Sequence, residues 1–81
     1  MFPYLIAFDS TQQAIRAEML LEYINVEIDT CPTPKQITAK CAISIRFDGD
    51  HLQAVNEMIR EEQIIVQGIY FMKEGGYSKI L

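Results

Sequence analysis

The sequence predicts one α+β domain of order βαββαβ, a ferredoxin-like sandwich whose four-stranded antiparallel sheet carries both helices on one face. Three observations predict it. Four stretches alternate apolar residues at strand spacing, two repeat them at helical spacing, and the segments between are short. A chain of 81 residues has room for a single hydrophobic core, here over residues 1–72. Residues 73–81 are then a tail or an added hairpin strand.

Residues 3–8 set Tyr4, Ile6 and Phe8 against Pro3, Leu5 and Ala7, a first strand with apolar residues on both faces. Ser10 followed by Gln13 has the form of a capping box. Ala14, Ala17, Leu20, Leu21 and Ile24 then continue at helical spacing, which predicts a helix over 11–24 that Asn25 ends. Val26, Ile28 and Thr30 alternate with Glu27, Asp29 and Cys31 in a half-buried second strand. Cys31-Pro32-Thr33-Pro34 must run extended, because each proline fixes its own φ and biases the residue before it away from the helical region.

The third strand, 41–47, places Cys41, Ile43, Ile45 and Phe47 on one face and Ala42, Ser44 and Arg46 on the other. Asp48-Gly49-Asp50 turns the chain and supplies an N-cap. Leu52, Val55, Met58 and Ile59 then line a second amphipathic helix ending near Glu62. The fourth strand covers 64–72, and Gly75-Gly76 predicts a final hairpin strand or a folded-back tail. The sheet face away from the helices would combine an apolar centre at Leu5 and Ala7 with a charged edge at Glu27, Asp29 and Arg46. Such a face is a partner or homodimer surface unless the tail covers it.

Seven basic against eleven acidic residues give a net charge of −4. Binding of nucleic acid needs clustered Lys and Arg to release counterions, so nucleic acid is not an expected partner. No run of apolar residues is long enough for a membrane span, and the N-terminal segment lacks the basic start of a signal peptide. The expected location is cytoplasmic, with the two cysteines as reduced thiols.

Cys31 and Cys41 bracket the proline loop. Setting Ile28 opposite Ile43 places Thr30 across from Cys41 and points the two thiols to opposite faces, which disfavours a disulfide. Lys35 and Lys40 would each favour a neighbouring thiolate, the reactive form. Taken residue by residue, packing is the stronger account of either cysteine, since free cysteine is among the most often buried residues. His51 stands alone at the second helix start, and Cys31, Cys41 and His51 lack the paired spacing of zinc sites, so no metal is expected. No glycine-rich phosphate loop, nucleophile elbow or Ser/His/Asp pattern occurs, so neither an organic cofactor nor conventional enzymatic turnover is expected.

Phe8, Ser10, Thr11, Ala14 and Glu18, followed by Pro32, Pro34, Lys35, Cys41, Ile43, Ile45 and Arg46, resemble a small bacterial family of selenium/sulfur carrier-like proteins over nearly the whole chain. Its centre is a Pro-x-Pro-basic segment, a cysteine and a hydrophobic strand. This chain departs from it with Lys35 where arginine is commoner and Ala42 where glycine is. The resemblance implies a non-enzymatic protein holding the chalcogen on a cysteine thiol, Cys41 being the matching position and Cys31 an additional candidate. It implies protein partners that donate and accept the atom. The other function class left open is an interaction or regulatory module that dimerises through the open sheet face.

Overall fold

The computed structural model describes residues 2–37 and 43–80. Its elements are β1 (Tyr4–Ala7), α1 (Thr11–Tyr23), β2 (Ile28–Pro32), β3 (Ile43–Phe47), α2 (Leu52–Glu61), β4 (Gly68–Lys73) and β5 (Gly76–Lys79). They form a five-stranded sheet in the order β2-β3-β1-β4-β5 with every neighbouring pair antiparallel. The sheet thus has one strand more than the predicted four. The Gly75-Gly76 turn, with φ of 87° and 156°, folds the C-terminal residues onto β4. Glycine adopts these positive φ values without the steric cost a Cβ would bring.

Strand pleat divides the sheet residues between two faces. Ile6, Ile45, Phe47 and Ile69 meet Ala14, Ala17 and Leu21 of α1 and Val55 and Met58 of α2 in the main core, so both helices cover the same face. Alanine at 14 and 17 lets α1 settle close to the sheet. At one end of this core the Tyr4 ring stacks on Phe47 at 5.5 Å and meets Phe71 edge-on at 5.2 Å. Gly49 lies against that ring, and a Cβ there would come within 2.7 Å of Tyr4 Cε2.

Helix boundaries follow from their caps. The Ser10 side chain accepts a hydrogen bond from the Gln13 amide at 3.3 Å, but the box is only half made. The Gln13 side chain instead accepts from the Ile65 amide at 3.0 Å, which holds the approach to β4 beside α1. Both helices end in the same way, with Asn25 at φ 63° and Gln63 at φ 55°. Val26 donates to the Leu21 carbonyl and Ile64 to the Ile59 carbonyl, closing Schellman-type turns that bury Val26 and Ile64. The second helix begins after a 3-10 turn, Gly49–His51, capped by Asp48, which accepts from the Asp50 amide at 3.2 Å.

Two predicted features need correction. The pairing of β2 with β3 sets Ile28 opposite Phe47 and Pro32 opposite Ile43, four residues from the expected register. An even offset leaves the faces unchanged, which is why the alternation of apolar residues could not detect it. The regular part of β4 begins at Gly68 rather than 64, because Gln63 turns the chain and Ile64 is drawn under α2.

Candidate functional site

The face away from the helices is covered within this one chain. Leu5 is 1% exposed, Ala7 is sealed, and Tyr70 is nearly so. Against them pack Cys31, Ile37 and Tyr77, from β2, the loop after it, and β5. The tail therefore does cover the predicted open face, assisted by the proline loop. The loop folds back through a turn in which the Ile37 amide donates to the Pro34 carbonyl at 3.0 Å. It is anchored by a 2.7 Å hydrogen bond between the hydroxyls of Thr33 and Ser44, and Ser44 is fully buried. Of the segment predicted as extended, Cys31 and Pro32 belong to β2, and the turn follows Pro34.

Cys31 sits in this second, smaller core. It lies opposite Ser44 on β3 and shares its face with Asp29 and Arg46, which are directly opposite each other. Its thiol is half-buried and free. Burial pushes its pKa above the ordinary thiol value, the Arg46 guanidinium pulls it down, and the Asp29 carboxylate raises it again. Among the described residues Arg46 is therefore the cation acting on this sulfur, in place of the expected Lys35, which is exposed in the turn. Arg46 is also held in place, its Nε donating to the Phe2 carbonyl at 3.2 Å. A half-buried thiol with a raised pKa is mainly protonated at neutral pH and a poor nucleophile.

A groove of about 320 Å³ runs between α1 and the outermost strand β2, where Ala14, Ile15 and Glu18 face Thr30, Cys31 and Pro32. Pro32 closes β2 and is exposed, while Pro34 begins the turn. Lys40 and Cys41, with Ala42, lie outside the described residues. His51 is half-buried and makes no side-chain cap bond to α2. Among the described residues no group of three metal-ligating side chains converges.

Sequence reasoning missed Ser44, Thr33 and Ile37, the residues that build this environment. The register could have exposed Ser44, since it follows from which β3 residue faces Cys31. Thr33 and Ile37 carry no periodic signal, being in a loop.

The fold defines a small two-layer α+β protein, one antiparallel five-stranded sheet with both helices on the same face. The family model described as "Putative Se/S carrier protein-like" matches residues 3–71, and the chain belongs to that family. No curated protein and no solved structure matches the chain. Among the described residues no helix is long and apolar enough to cross a membrane.

Proposed function

We propose that this protein carries sulfur or selenium on a cysteine thiol, with Cys41 the loading residue, and that it acts without turnover of its own. The family match carries the reading, because it spans the Pro32, Pro34, Lys35, Cys41 and Arg46 segment. The raised pKa of Cys31 supports assigning it a packing role and leaving the chemistry to Cys41. The strand order supports reading β1 to β4 as a ferredoxin-like core with β5 added at its margin.

In the loading step the Cys41 thiolate attacks the outer sulfur of a donor protein's persulfide. The bond between the donor's two sulfurs breaks, the donor leaves as thiolate, and the proton stays with the transferred sulfur. A selenium atom in the outer position transfers in the same way. Donor and acceptor proteins are thus the partners, and Lys40 and Lys35 stabilise the attacking anion. The rival reading, dimerisation through the sheet face away from the helices, loses support because Ile37 and Tyr77 already occupy the centre of that face.

The test is mass spectrometry after incubation with a cysteine desulfurase and cysteine. Wild type and Cys31→Ser should gain one sulfur atom and Cys41→Ser should not. A wild-type thiol left unmodified under conditions that load a known carrier would sink the proposal, as would loading that survives Cys41→Ser.

A further inference from the structure

The outer surface of the helical layer has an apolar groove with an acidic rim. Leu20, Tyr23 and Ile24 of α1 face Ala54 and Met58 of α2 across about 310 Å³, and Glu57, Glu61 and Glu62 stand along its edge. Tyr23 is 84% exposed and Met19, one turn earlier, 65%. Large side chains so exposed on a helix of this small protein are candidates for contact with another molecule.

Charge selects the occupant. Among the described residues, Glu62 is the rim carboxylate in an ion pair, with Arg16 at 3.6 Å, and both groups are exposed. Glu57 accepts a hydrogen bond from the Gln53 side chain at 3.3 Å. A second copy would bring the same carboxylates against themselves, in a chain whose net charge is already −4. An anionic membrane would be repelled for the same reason. A helix with apolar residues on one face and Lys or Arg beside them answers both features, in the helix-in-groove mode.

We propose that the α1/α2 groove docks a basic amphipathic helix of a protein partner, seating apolar side chains between Tyr23 and Met58 and basic ones on Glu57 and Glu61. With α2 at 10 residues, three turns of partner helix match the groove's length. The inference does not depend on either thiol.

The probe is a synthetic Leu/Lys peptide of roughly 18 residues with helical periodicity, alongside its Leu/Glu counterpart. Binding is followed by calorimetry and by amide chemical shifts of the full chain. The Leu/Lys peptide should bind, shifting Tyr23, Ile24 and Met58, while the Leu/Glu peptide should not. Tyr23→Ser and Glu61→Lys should each weaken binding about tenfold. Asp29→Lys changes the net charge as much as Glu61→Lys does but lies on the other sheet face, and should leave binding within about twofold. Equal losses from Glu61→Lys and Asp29→Lys would reduce the effect to general attraction and overturn the proposal. So would equal binding of both peptides, or a dimer in sedimentation that Tyr23→Ser dissolves.

Discussion

Replacing Thr33 by valine keeps the side-chain volume and removes one hydroxyl, the partner of fully buried Ser44 at 2.7 Å. Stranding a buried hydroxyl costs about 1–3 kcal/mol, and we expect about 1.5 kcal/mol because the half-buried loop can partly relax. In a domain this small that lowers Tm by about 6–12 °C. Ser44→Ala removes the group that needs a partner and leaves Thr33 able to reach water, so it should cost less, about 0.5 kcal/mol. The double variant should then be no worse than Ser44→Ala, giving a coupling of about 1.5 kcal/mol or more. Urea unfolding of the four proteins measures the cycle. A coupling below about 0.3 kcal/mol would refute the idea that this contact holds the proline loop on the sheet. Because the loop lies over Cys31, its alkylation should also quicken in Thr33→Val.

Four other outcomes follow from the same geometry. Cys31 in a Cys41→Ser background should alkylate with a midpoint above that of a free thiol; Asp29→Asn should move it down and Arg46→Leu further up. Since the folded protein keeps the proton longer than the unfolded chain, stability should be full below the ordinary thiol pKa and fall as pH rises towards the raised one, a loss absent from Cys31→Ala. Gly49→Ala must displace a Tyr4 ring wedged between Phe47 and Phe71, costing about 1–3 kcal/mol in a urea titration, and an unchanged midpoint would contradict that packing. Gln63→Gly relieves a left-handed residue at φ 55° and should raise Tm by about 4–8 °C, for roughly 1 kcal/mol.

Elements that depend on local periodicity were legible in the chain. The first helix, its Ser10 cap and its end at Asn25 follow from neighbours a few residues apart, and α1 forms within a residue of the expected limits. Strand faces were legible too, since parity alone assigns Cys31 and Arg46 to the side away from the helices. Parity repeats every two residues, so it left the β2 register free to slide by four. The run Ile64-Ile65-Val66 looked like strand because it is apolar. Its conformation is set instead by the turn at Gln63 and the side chain of Gln13, a partner 52 positions away. The cover over Leu5 and Ala7 depends on where one aperiodic loop lands, which no spacing encodes.

The sheet's two outermost strands present another consequence. Peptide groups along β2 and β5 that face away from the sheet could recruit another copy and propagate into fibrils at high concentration. Each margin carries a deterrent: Asp29 is exposed on β2, where Pro32 supplies no amide hydrogen to continue a ladder, and β5 spans only four residues with exposed Lys79 at its end. Cys31 therefore occupies a border strand that is chemically discouraged from annealing to its own kind, a protection that charge removal at Asp29 and Lys79 together would strip away.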